Sequence, residues 1–319
     1  MTENGTATFA SPDEYSAAIG AVKVNLFVTS GGEFKGRLTW LNLGGLHVLR
    51  GRENLPRIAF VALPPAEVFI SFPMSGLSGL VYCGLGLNLG DVVFHGLGER
   101  AHQRTVGEGD WCFMSLAPEQ LAACSKALTG QSIRPPLEAR VIVPARSACR
   151  ALLSPISKAC QLAQTRRELI ANPEVARSLE QELLHALVNC LATENADRIS
   201  RWRRRHTDIM VRFEEALATR SESHLNLSEI CTAIGVPERT LRLCCAEFLG
   251  VGPIRYYLLR RLNMARSALR RADPETASVA EIARDHQFTE LGRFAVAYRA
   301  IFGETPSTTL RRTSMKRNN

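Results

Sequence analysis

The stretch Ile230-Cys231-Thr-Ala-Ile-Gly235-Val236-Pro237-Glu238-Arg239-Thr240-Leu241, continued by Cys245 and Phe248, decides the fold because its pattern returns downstream. The return is Ile282-Ala283, three residues, Gln287-Phe288, then Phe294, Tyr298 and Phe302. Each part of the spacing has a physical use. A small residue, Cys231 or Ala283, lets a short first helix cross a second one closely. Gly235 then suits a tight turn with positive φ, and Gln287 in its place costs on the order of 1 kcal/mol if φ is positive there. Leu241, Cys245 and Phe248, like Phe294, Tyr298 and Ile301, recur at helical spacing and give each second helix one buried stripe. The opposite stripe is free to enter a groove.

Caps and breakers agree. Asn226 with Glu229, and Ser278 with Glu281, have capping-box spacing before each first helix, and Pro237 opens the second helix of the first unit. Residues 253–272 read as one helix between the units, with Tyr257, Leu258, Leu262, Ala265 and Leu269 on its buried side. Twenty residues at about 1.5 Å each span about 30 Å, close to the ~34 Å between successive major-groove faces on one side of B-DNA.

The same residues carry a resemblance. Gly235-Val236-Pro-Glu-Arg-Thr-Leu241, Gly250-Val-Gly-Pro253 with Tyr257-Leu258 and Arg261-Leu262, Leu291-Gly-Arg-Phe294 with Tyr298-Arg299, and Phe302-Gly303 with Pro306 are similar to the AraC/XylS family of bacterial transcription regulators. The resemblance covers about the last third of the chain. It implies an all-α domain of two helix-turn-helix units joined by a linker helix, and double-stranded promoter DNA and RNA polymerase as partners. On the first recognition helix, Arg239, Thr240, Arg242 and Leu243 are the expected DNA contacts, arginine being suited to bidentate pairing with guanine. The family often has a basic residue where Leu243 stands. On the second helix the aligned positions are Leu291, Gly292, Ala295 and Val296, which could meet thymine methyls, while Arg293 and Arg299 are expected on phosphates.

Charge agrees with this division. The chain of 319 residues has a net charge of +8; residues 1–200 hold 18 basic and 18 acidic side chains, and residues 201–319 hold 21 and 13, so 21 − 13 = +8 lies wholly in the second part. Basic residues displace condensed counterions from phosphates, although a solvated basic face would look the same. Nine cysteines form no C-x-x-C pair and no alternating Cys/His series, so no metal or cofactor is expected, and the thiols are expected to be reduced. Cys231, Cys244 and Cys245 fall in the first unit's core, where packing competes with redox sensing. No stretch approaches ~20 apolar residues and no secretory signal opens the chain, so the expected location is cytoplasmic, without membrane contact.

Upstream, residues 1–14 lack a periodic pattern and read as a loose tail. Residues 22–29, 45–49, 58–63, 68–72, 79–83, 85–89 and 91–95 read as short strands punctuated by Gly or Pro. Seven such strands suggest a sandwich or barrel, and the resemblance implies a jelly-roll-like sensor domain that binds a small-molecule effector. His95, Arg100, His102 and Trp111 are its candidate ligand residues, weighed against ordinary strand or loop positions. The seven-residue separation of the two histidines does not suit a metal. Residues 154–194 then turn helical, broken at Asn172-Pro173, and the second stripe (Val175, Leu179, Leu183, Leu184, Leu187, Val188, Leu191) either covers the sandwich or forms a homodimer contact through 174–191.

The expected architecture is therefore an α+β two-domain chain: a β sensor with a helical hairpin over 1–195, a basic linker over 196–206 and an all-α DNA-binding domain over 207–314. The expected function is a ligand-modulated, sequence-specific transcription regulator and not an enzyme. Two other classes remain open. One is a DNA-repair or other enzyme, although the Pro-Cys-His-Arg setting of DNA-alkyl acceptors is absent. The other is a ligand-binding or interaction module whose DNA-binding domain is vestigial.

Overall fold

The computed structural model describes residues 4–20, 22–76, 79–192, 199, 201–219 and 226–317, with side chains to 311. The N-terminal part opens with β1 (Gly5–Phe9), α1 (Pro12–Ala18), β2 (Lys23–Val28), β3 (Gly36–Leu43), β4 (Leu46–Glu53), β5 (Arg57–Ala62) and β6 (Val68–Pro73). It continues through β7 (Val81–Tyr82), β8 (Leu85–Gly86), β9 (Val92–Phe94), β10 (Arg100–Arg104), β11 (Gly109–Leu116), α2 (Pro118–Thr129) and β12 (Arg140–Ile142). Helices α3 (Arg146–Thr165), α4 (Arg167–Ala171) and α5 (Pro173–Leu191) follow. The C-terminal part is helical: α6 (Arg201–Thr219), α7 (Leu227–Ile234), α8 (Glu238–Leu249), α9 (Pro253–Arg271), α10 (Val279–Asp285), α11 (Leu291–Phe302) and α12 (Pro306–Arg317).

The strands form two sheets, ordered β1-β3-β4-β11-β6-β9-β12 and β2-β5-β10-β7-β8. The larger sheet is covered on both faces. On one face Leu41, Ile70, Phe72 and Met114 pack with Leu152 and Ile156 of α3 and Leu183 and Leu187 of α5. On the other, Leu38, Phe69, Val93 and Phe113 meet Leu26, Ala59, Val61 and Ala101 of the smaller sheet. The smaller sheet is covered twice as well. Its outer face, with Phe27, Phe60 and His102, lies against the C-terminal helices, where Tyr256 of α9 sits 6.0 Å from Phe27 and 6.4 Å from His102 between ring centroids. Alternation along β10 explains the split: Ala101 points to the inter-sheet core and His102 to the helices.

Three expectations are corrected. Residues 5–9 and 12–18 are not a tail: β1 pairs antiparallel with β3, and α1 buries Tyr15, whose hydroxyl donates to Glu53 at 2.6 Å. The stripe on α5 is spent inside the chain, with Leu184 at 7% and Leu187 at 0% exposure, while Arg177, Gln181, Glu182 and His185 face outward. A homodimer contact through 174–191 therefore has no apolar face to use. The basic run Arg201–His206 is the first turns of α6 and not a linker, because Arg203 and Arg204 are held by partners: Arg203 pairs with Glu247 at 2.7 Å and Arg204 with Glu138 at 2.7 Å. Residues 196–198 and 200 of the expected linker lie outside the described residues.

Candidate nucleic-acid interface

The first unit is assembled by local rules. Asn226 caps α7 by accepting from Ser228 N and Glu229 N at 3.1 and 3.4 Å, and its Nδ2 donates to Glu229 Oε1 at 2.9 Å. The helix ends at Gly235, φ 68°, where Val236 N bonds to Cys231 O at 3.0 Å and Gly235 N to Thr232 O at 3.2 Å. This pair of bonds is a Schellman motif, which satisfies terminal carbonyls and requires the left-handed residue. Pro237 caps the next helix rather than occupying its first turn.

The second unit repeats the turn bond for bond. Ser278 caps α10 through Ala280 N at 3.2 Å, Phe288 N bonds to Ala283 O at 2.9 Å, and Gln287 N bonds to Arg284 O at 2.7 Å. Gln287 stands at φ 64°, the conformation of Gly235. Helix α9 supports this strained turn: the Tyr257 hydroxyl donates to Gln287 Oε1 at 2.8 Å, and Arg261 Nε donates to His286 O at 2.9 Å while its guanidinium lies 4.1 Å from the Phe288 ring centroid.

Each second helix is two-sided. In α8, Leu241, Cys244, Cys245, Phe248 and Leu249 are buried; Arg239, Arg242 and Leu243 are exposed and Thr240 is half-buried. In α11, Phe294, Tyr298, Ile301 and Phe302 are buried, while Gly292, Arg293, Ala295, Val296 and Arg299 are exposed and Leu291 is half-buried. Val296, 72% exposed, and Leu243, 60%, are apolar side chains held in water. The arginines differ in readiness. Arg242 is bound to Glu238 by an ion pair that includes a 2.8 Å bond from Nε, and Arg293 to Glu290 at 3.0 Å. Among the described residues Arg239 and Arg299 pair with no acid.

A family profile described as a helix-turn-helix domain matches residues 230–312, which contain both turns. The chain is 36% identical over 95 residues to the probable thc operon regulatory protein of Rhodococcus erythropolis, across 30% of this chain and 29% of that protein. It is 36% identical over 107 residues to XylDLEGF operon transcriptional activator 2 of Pseudomonas putida, across 34% of this chain and 66% of that protein. Over residues 230–312 the chain carries a helix-turn-helix domain similar to those of AraC/XylS-type operon regulators. It thus matches less than two thirds of the length of either relative. A solved structure of the AraC-like transcriptional activator CuxR aligns over 97% of this chain and 99% of its own, at 14% identity and a TM-score of 0.40.

The four residues expected to share a ligand pocket do not converge. His95 and Trp111 lie between the sheets on either side of Phe113, at 6.3 and 5.0 Å between ring centroids, and both are already bonded. His95 Nε2 is 2.7 Å from Ser71 Oγ, its Nδ1 is 3.2 Å from Glu99 Oε2, and Trp111 Nε1 donates to Glu53 at 3.0 Å. Arg100 and His102 lie across the smaller sheet, against α6. Arg100 pairs with Glu215, and His102 Nε2 sits 3.0 Å from Glu214 Oε1. Glu214 is 3% exposed and also takes Arg260 Nη1 at 2.6 Å and the Tyr256 hydroxyl. This junction was invisible in the sequence, because nothing in the local pattern around Glu214 names a partner more than a hundred residues away.

All nine cysteines are free, and Cys231, Cys244 and Cys245 are buried in the first unit. Burial pushes the Cys244 thiol up to about 11 and Cys245 higher still, which disfavours the thiolate form and accords with a packing role. No described helix is long and apolar enough to cross a membrane.

Proposed function

We propose that the chain is a ligand-modulated, sequence-specific DNA-binding transcription regulator in which α8 and α11 are two readers entering successive major-groove faces. The observation that carries this is the repeated turn: Gly235 and Gln287 share one conformation and one bond pattern, and each launches a helix with a buried stripe and an outward stripe bearing arginine. Helix α9, 19 residues or about 28 Å long, suits a spacer of nearly one DNA turn. Arg239, Thr240, Arg242 and Leu243 form the first reading face, and Leu291, Gly292, Ala295 and Val296 the second. Arg293 and Arg299 hold phosphates. The two-sheet region acts as a jelly-roll-like sensor domain, and RNA polymerase is the partner through which occupancy acts on transcription.

A mobility shift with genomic fragments, followed by footprinting, tests the reading. The expected result is retention of few fragments with two protected patches about 10 base pairs apart. Equal retention of all fragments at low salt would support the vestigial-domain alternative.

A further inference from the structure

Two concavities deserve comparison. A groove of about 810 Å³ runs along the end of the larger sheet, but its lining ends at Asp110 and includes no C-terminal element. A second cavity of about 460 Å³ is lined from both sides of the domain junction, by Tyr82, Leu97 and Leu137 of the β region and by Thr207, Asp208 and Val211 of α6. Its volume lies within the ~300–1,000 Å³ typical of small-molecule sites. Leu97 is 45% exposed and Leu137 fully exposed, so the mouth offers apolar surface that an occupant would bury.

The charges say what kind of occupant fits. The lining holds the carboxylates Glu99, Glu138, Asp208 and Glu215 and the guanidinium groups Arg100, Arg204 and Arg212. All three cations are engaged: Arg100 with Glu215, Arg204 with Glu138, and Arg212 Nη1 with Ile234 O at 2.7 Å. Glu99 already accepts from the Tyr82 hydroxyl and from Gly96 N at 3.0 Å. Among the described residues no donor or cation meets the Asp208 carboxylate. The unmatched charge on this partly apolar wall is negative.

We propose that this cavity binds a small apolar cation, an ammonium or amidinium on an aromatic or branched aliphatic body, with Asp208 as its counter-ion. The occupant reaches the first reader through Arg212, which lines the cavity and also holds the last carbonyl of α7, one residue before the Gly235 turn that leads into α8. The proposal rests on the ligand-modulated regulator reading and names the class of ligand.

The test uses the full-length chain with three probes of one shape: phenethylamine, phenethyl alcohol and 3-phenylpropionate. Calorimetry should show the amine binding at least about tenfold more tightly than the alcohol or the acid, the step expected of one matched charge. Asp208→Asn should lose that preference with an unchanged melting temperature, and Asp208→Glu should keep it. In a mobility shift the amine should alter DNA affinity of the wild type, while Arg212→Gln should bind amine but no longer respond. Equal binding of the three probes, no amine binding, or an amine preference that survives Asp208→Asn would overturn the proposal. A wild-type chain that binds amine but no DNA would instead overturn the regulator reading, so the two failures are distinguishable.

Discussion

The Tyr257 hydroxyl reaches across from α9 to hold Gln287 Oε1 at 2.8 Å, and Gln287 is the residue that takes a glycine's φ of 64° in the second turn. Strain of on the order of 1 kcal/mol is thus offset by a hydrogen bond of about 0.5–1.5 kcal/mol. Gln287→Gly alone should change stability little, whereas in a Tyr257→Phe background it should stabilise by about 0.5–1.5 kcal/mol more than in the wild type. Denaturant melts of the four proteins give the coupling, and zero coupling would refute the compensation.

Arg242 must leave Glu238 before it can meet a base. The exposed pair holds it by no more than about 1 kcal/mol. Arg242→Ala should therefore cost about 1–3 kcal/mol on the preferred site and relax one position, while Glu238→Gln should tighten binding to all sequences. Loss of affinity in Glu238→Gln would show that the carboxylate itself contributes to readout.

The second reader divides differently. Val296→Ala should alter affinity modestly, and mainly at sites with thymine opposite it; Arg299→Ala should weaken every site and reduce the salt slope by about one. An Arg299→Ala protein whose salt slope is unchanged but whose sequence preference shifts would reverse the assignment.

Because Leu184 and Leu187 lie under the larger sheet, Leu184→Asp with Leu187→Asp should unfold the two-sheet region rather than yield a folded monomer. Burying two unpaired carboxylates costs more than about 3 kcal/mol. A folded double mutant with a changed sedimentation coefficient would restore the dimer contact.

The junction should be acid-sensitive. Burial alone would raise the Glu214 carboxyl, but the hydrogen bond and charge of His102, then Arg260 and Tyr256, hold it below its ordinary 4.5. A depressed folded pKa gives stabilisation that is complete above about 4.5 and is lost as pH falls through the folded value. Glu214→Gln should therefore melt earlier than wild type at pH 7, with the gap closing in acid. A gap independent of pH would remove Glu214 as the titrating group.

The helical third was legible because its determinants are local: caps, a turn and two stripes lie within 25 residues of one another, and even the strain at Gln287 could be read ahead. The β region was only half legible. β11 is buried on both faces, so Trp111, Cys112, Phe113 and Met114 show no alternation to mark a strand. β10 reads as Arg-Ala-His-Gln-Arg, too polar for a core strand, because Arg100 and His102 are matched by Glu215 and Glu214 of a distant helix. The same fact misled the ligand-site expectation, since alternation sends His102 away from His95.

The smaller sheet keeps no face for water. A chain cut short before α6, by a premature stop or a protease, would set Phe27, Ile58 and Phe60 in solvent beside the open edge of β2. Such a half-protein would be adhesive rather than idle, a template for strand addition and a substrate for cellular clearance. Truncated copies of the chain would therefore not persist as inert remnants.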